Sequence, residues 1–106
     1  MNTADVILFT QSVAKYTNAT SEELAELVRL TRELHVVNER LSVEDDNIEP
    51  LIKKQRRIEN RIEELAGKIG AISVTFIFSN YPRYVAVKLY FEGMTDYEDG
   101  ISIPHQ

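Results

Sequence analysis

The run Lys53-Lys54-Gln55-Arg56-Arg57, followed by Arg61 and Lys68, concentrates the positive charge of this chain. On a helix turning about 100° per residue, Lys53, Lys54, Arg57 and Arg61 form one broad basic band, with Arg56 set away from it. Such a band can neutralise phosphates, and it can equally face an acidic helix or an acidic partner. The chain as a whole carries a net charge of −5, which weakens non-specific attraction to nucleic acid. No helix-turn-helix or other reader motif frames the run. Nucleic-acid binding through this band is therefore the alternative reading, and contact with protein is the leading one.

Aromatic residues offer a second kind of chemistry. Phe76, Phe78, Tyr84, Tyr90 and Phe91 fall in a stretch of alternating residues, with Tyr81 between its two halves. Sheet aromatics beside basic residues stack single-stranded bases, but only Arg83 and Lys88 flank these, so core packing is the better account. The turn Asn80-Tyr81-Pro82-Arg83 differs. A Tyr and an Arg at an exposed tip are residue types enriched in binding hot spots, so Tyr81 and Arg83 join Lys53, Lys54, Arg57 and Arg61 as candidate partner contacts.

Other chemistries find no constellation. The two histidines, His35 and His105, have no second ligand at helical or loop spacing, and cysteine is absent, so no metal site is expected. His35 sits beside Leu34 and reads as a half-buried structural histidine. No Gly-x-Ser-x-Gly is present, and no histidine lies near Ser42, Ser73 or Ser79 in sequence. The glycines of Gly67-Lys68-Ile69-Gly70 follow a helical stretch, the wrong side for a phosphate cradle. Asp45, Asp46 and Glu49, and separately Asp96, Glu98 and Asp99, miss the calcium-loop spacing and read as solvated loops. No catalytic residue and no cofactor are expected.

The elements that carry these residues are legible from periodicity. Leu27, Leu34 and Leu41 step by seven, and so do Leu51, Ile58, Leu65 and Ile72. The step from Leu41 to Leu51 is ten, so the phase breaks over Val43-Glu44-Asp45-Asp46-Asn47-Ile48-Glu49-Pro50. The pattern predicts two long amphipathic helices, paired antiparallel across an acidic loop or joined as one kinked helix at Pro50. Residues 21–49 sum to −6 and residues 50–70 to +3, which favours pairing the two helices with each other.

The second helix starts at a capping box, Thr20-Ser21-Glu22-Glu23. Along it Thr31, Asn38 and Asp45 form a polar row, which either faces water or buries an Asn that fixes register. The third helix starts between Asp46 and Pro50. It carries Ile48, Leu51, Ile58, Ile62, Leu65 and Ile69 and stops at the glycines. Before these, Thr3 could cap a helix over Ala4 to Tyr16 that shares Val6, Ile7, Val13 and Ala14 on one face and widens to Leu8 and Phe9. A strand over Val6 to Thr10 is the rival.

After Gly70 the period becomes two. Ile72, Val74, Phe76 and Phe78 alternate with polar residues or Ile77, and Val85, Val87, Leu89 and Phe91 do so again beyond the turn. This predicts an antiparallel β-hairpin, with a short third strand at Ile101 and Ile103 ended by Pro104.

The expected fold class is α+β in one domain over residues 1–106. Its helical part covers about 4–70 and includes a coiled-coil-like pair, and its β-hairpin or short meander covers about 71–104. Leu27, Leu34, Leu41, Leu51, Ile58 and Leu65 are candidate oligomerisation residues. Leftover apolar positions (Val36, Val37, Val43, Ile77, Ala86 and Tyr90) also point to a homo-oligomer, a symmetric dimer by default. The N-terminus has no basic region, and Val6 to Phe9 is too short for a signal core or a membrane span, so a cytoplasmic protein without membrane contact is expected.

The functional expectation is a non-enzymatic adaptor, assembly factor or inhibitor that occupies a surface of a larger protein partner. Small acidic chains without catalytic residues also occur among virus-encoded antagonists of host machinery, a comparison resting on size and charge alone. The acidic residues Glu22, Glu23, Glu26, Glu33, Glu44, Asp45 and Asp46 could imitate a phosphate backbone, although the interspersed Arg29, Arg32 and Arg40 argue against it. A third reading, an enzyme or small-ligand binder with its site at an oligomer interface, has no catalytic constellation to support it.

Overall fold

A computed structural model describes residues 3–80, 83–95 and 100–104. Among the described residues three helices precede a three-stranded antiparallel sheet, giving the expected α+β class. The helices are α1 (Thr3–Ala14), α2 (Ser21–Val43) and α3 (Glu49–Lys68). The strands are β1 (Ser73–Asn80), β2 (Arg83–Tyr90) and β3 (Ile101–Ser102), in the order β1-β2-β3. The short third strand suggested by Ile101 is present and pairs with Leu89.

The acidic loop is a reversal and not a kink. Helices α2 and α3 pack along each other, and Lys68 at the end of α3 lies 3.9 Å from Glu23 at the start of α2. That pairing fits the opposite charge of the two segments, although an exposed pair contributes only about 0–1 kcal/mol. Asn47, in the loop, takes a left-handed φ of 49°, a conformation that Asn tolerates better than most residues.

Local signals explain the helix ends. The Thr20 hydroxyl accepts from Glu23 N at 3.1 Å, and Glu23 Oε1 accepts from Thr20 N at 2.8 Å, completing the capping box. Pro50 occupies the first turn of α3, where its missing N–H has no intrahelical acceptor to lose. At the other end Ala71 N donates to Ala66 O and Gly70 N to Gly67 O, with Gly70 at φ +100°. These bonds satisfy two terminal carbonyls in a Schellman motif. The Thr17 hydroxyl also donates to Ile69 O, tying the α1–α2 connection to this terminus.

Helices and strands share one core. Leu27, Leu34, Ile62, Val85, Val87 and Leu89 are all fully buried within it. Truncating one of the leucines to Ala would cost about 2–5 kcal/mol. Helix α2 is covered on two sides, by α3 and by β2. This accounts for the polar row: Thr31 and Asn38 are buried, and only Asp45 faces water. It also buries Val37, which therefore adds nothing to the apolar surface.

Helix α1 forms where the rival reading placed a strand, but with a different inner face. Phe9 and Val13, four residues apart, are buried, whereas Ile7, Leu8 and Ala14 are exposed and Val6 is half-buried. Thr3, expected just ahead of the helix, is its first residue. Among the described residues no helix is long and apolar enough to cross a membrane.

Candidate functional site

All four residues of the basic band are exposed on α3. Two of them already have carboxylate neighbours: Lys53 lies 3.6 Å from Glu49, and Arg61 lies 3.5 Å from Glu64. Arg61 also helps hold the Glu26 carboxyl of α2 below its usual range, behind the larger effect of a hydrogen bond from Arg29. Lys54 and Arg57 line a shallow depression at the tip of the helical hairpin, together with Arg40 and the acidic Glu44 and Asp46. The band is thus a patchwork of both signs and not an unbroken positive stripe.

The acidic face of α2 is likewise interrupted. Arg29 bridges Glu26 and Glu33, its Nε donating to Glu26 Oε2 at 2.9 Å and its Nη1 to Glu33 Oε1 at 2.6 Å. A phosphate-like row of free carboxylates does not form there. The Glu23 carboxyl is held low mainly by the Thr20 backbone N–H. Glu59 behaves oppositely: burial pushes its carboxyl up, and the nearby Glu63 adds to this.

The strand turn holds a different arrangement from the exposed tip expected of Arg83. Arg83 is half-buried and turns back onto α2, where its Nε donates to Asn38 O at 3.1 Å and its Nη2 to Asn38 Oδ1 at 3.4 Å. Its guanidinium is committed within the chain. Tyr81 lies outside the described residues. The Asn38 amide nitrogen is buried without an acceptor among the described residues, so the carboxamide is only half satisfied.

The candidate oligomerisation residues are used inside the chain. Leu27, Leu34, Leu51, Ile58 and Leu65 are buried, and Leu41 packs against the same cluster. The α2–α3 seam would have to open before these side chains could meet a second copy.

The apolar residues that remain outside fall elsewhere. Val36 and Val43, 49% and 76% exposed, are seven residues apart and share a face of α2, and Ile48 follows just across the loop. On the sheet Ile77, Phe78 and Tyr84 are exposed, and so is Ile72 just before β1. The sequence pointed to Val36, Val43 and Ile77, but not to Ile48 or Phe78, which its periodicity assigned to inner faces.

His35 is half-buried, as its place beside Leu34 suggested, with Nε2 3.1 Å from Glu39 Oε1. Among the described residues no three His, Asp or Glu side chains gather as a metal site would require. His105 and the Asp96, Glu98 and Asp99 group lie outside the described residues. Comparison with protein families, with curated proteins and with solved structures finds no match to this chain.

Proposed function

We propose that this protein is a non-enzymatic interaction module that occupies a surface of a larger protein partner, as an adaptor, assembly factor or inhibitor. The observation that carries this reading is the pair of exposed apolar residues Val36 and Val43 on one face of the last two turns of α2, with the exposed Ile48 across the loop. Arg40, Glu44 and Lys54 lie close by in the chain and beside the loop, supplying polar side chains of both signs. An apolar centre with a charged rim is the anatomy of a protein interface. The two-sided packing of α2 gives this tip a rigid base, which lowers the ordering cost of binding. A cytoplasmic site of action suits a chain without cysteine.

The basic band supports the nucleic-acid alternative less well, since Lys53 and Arg61 have carboxylate neighbours and the chain is acidic overall. The test is capture from the native host with tagged protein, with and without nuclease, alongside a Val36→Glu/Val43→Glu variant. The reading expects a nuclease-resistant protein at near-stoichiometric yield that the variant loses while its melting curve is unchanged. Capture that vanishes on nuclease treatment, or that the variant retains in full, would sink it.

A further inference from the structure

Among the described residues strand β1 forms one edge of the sheet, paired with β2 on one side. Its sequence, Ser-Val-Thr-Phe-Ile-Phe-Ser-Asn, contains no charge and no proline. Its register against β2 runs without a bulge from Ser73 opposite Tyr90 to Asn80 opposite Arg83. Edge strands are ordinarily protected by charges, prolines, bulges or brevity, and β1 has none of these devices. Ile77 and Phe78 are 37% and 44% exposed on it.

The hydrogen-bond phase shows what the free edge presents. Ile103 N donates to Val87 O, and Leu89 faces Ile101, so Val87 and Leu89 turn their main-chain groups toward β3. The alternating residues of β2, including Tyr84, Ala86 and Lys88, therefore turn theirs toward β1. Their partners Ser79, Ile77 and Thr75 bond inward. Val74, Phe76 and Phe78 consequently point their N–H and C=O groups away from the sheet.

The side chains of β1 are nearly palindromic about Ile77: Thr75-Phe76-Ile77-Phe78-Ser79 reads Ser-Phe-Ile-Phe-Thr in reverse. An antiparallel second copy with its two-fold axis at Ile77 sets Ile77 against itself, each Phe76 against a Phe78, and each Thr75 against a Ser79. In that register Phe76 and Phe78 are a hydrogen-bonded pair, as their outward main-chain groups require. Moving the axis by one residue keeps that phase but sets Phe78 against Val74, or Phe76 against Asn80. The main-chain phase thus admits an axis on any residue of β1, and the side-chain pattern selects Ile77.

We infer that β1 pairs with β1 of a second copy across a two-fold axis at Ile77, joining two three-stranded sheets into one. The contact is isologous and closes on itself. The opposite edge of each sheet is the two-residue β3, too short to continue the array. Cross-strand aromatic and β-branched pairs stabilise such a contact, and no strand charge is buried. The inference does not depend on the binding of a larger partner, because it uses the sheet edge and leaves the helical tip free.

The experiment combines sedimentation equilibrium of the whole chain over a concentration series with single-cysteine crosslinking, which the absence of native cysteine makes clean. The wild type is expected to dimerise, and Ile77→Lys, which opposes two like charges on the axis, to weaken the dimer by about tenfold or more. Ile77→Cys is expected to form a covalent dimer on mild oxidation, since cross-strand Cα atoms in a non-hydrogen-bonded pair stand about 4.5 Å apart. Thr75→Cys alone should not crosslink, whereas Thr75→Cys/Ser79→Cys should. A monomeric wild type, an unaffected Ile77→Lys dimer, or equal crosslinking by Thr75→Cys and Ile77→Cys would each overturn the inference. Circular dichroism of every variant separates a lost contact from a lost fold.

Discussion

Arg83 and Asn38 stand 45 residues apart in the chain and meet at two points, one on the helix backbone and one on the carboxamide. The contact fastens the start of β2 to the last third of α2. The guanidinium fork suits this geometry, and a positive charge there also opposes the negative end of the helix dipole. Arg83→Ala should therefore destabilise the fold by about 1–3 kcal/mol in urea denaturation. Arg83→Lys should recover little of the loss, because an ammonium lacks the planar fork. A loss below about 0.5 kcal/mol would show that the bond is replaced by water at no net cost. Because the Asn38 amide nitrogen finds no acceptor among the described residues, Asn38→Ala should cost less than Arg83→Ala.

Two nearby glycines should respond in opposite directions. Gly70 sits at φ +100°, and an added Cβ would meet Thr17 Oγ1 at an ordinary 3.5 Å, so backbone strain and not crowding decides the outcome. Gly70→Ala should cost about 1–2 kcal/mol and loosen the end of α3. Gly67 lies inside the helix with nothing within 4 Å of an added Cβ. Gly67→Ala should stabilise by about 0.5–1 kcal/mol. Thermal or urea unfolding of the two variants reads both signs, and a shared sign would show that the Schellman geometry is misassigned.

The contrast between these residues shows what was legible in the sequence. Capping box, glycine stop, hairpin alternation and the α2–α3 pair are local or strictly periodic signals, and each appears in the fold where it was expected. The polar row of α2 was not decidable in the same way. Thr31 and Asn38 look like a solvent face until a sheet is laid over it, and the Thr31 hydroxyl then satisfies itself by donating to Leu27 O. Arg83 misled for the same reason. A turn residue reads as exposed unless the helix it folds back on is known, and that contact spans 45 residues. In α1 the run Val6-Ile7-Leu8-Phe9 is apolar all round, so periodicity could not select Phe9 and Val13 as the inner pair.

Acid should act on the carboxylates in two ways. The carboxyls of Glu23 and Glu26 lie below the usual value of 4.5 in the folded chain, held by the Thr20 backbone N–H and by Arg29 respectively. Their stabilising effect is present above 4.5 and is lost as pH falls through their lowered values. Glu59 is raised above 4.5 by burial, so the folded state binds its proton first and gains stability as pH falls through that raised value. Glu59→Gln should raise the melting temperature at neutral pH and lose that advantage in acid. Glu23→Gln should lower it at neutral pH and converge with the wild type in acid. Parallel melting curves for both variants at every pH would refute the assignment.

The candidate surfaces make one further demand, on where substitutions are silent. Lys54 and Arg57 line the tip beside Arg40, Glu44 and Asp46, close to the exposed Ile48, and have no core role. Reversing them as Lys54→Glu/Arg57→Glu should change stability by no more than about 0.5 kcal/mol. If the tip docks on a protein, the double reversal should slow association and alter its salt dependence while leaving most of the affinity with Val36 and Val43. If the band instead binds nucleic acid, it should abolish binding and flatten the salt dependence. Association rates at two ionic strengths, measured once a partner is in hand, therefore separate a charged rim from a phosphate-binding surface by the size of the loss.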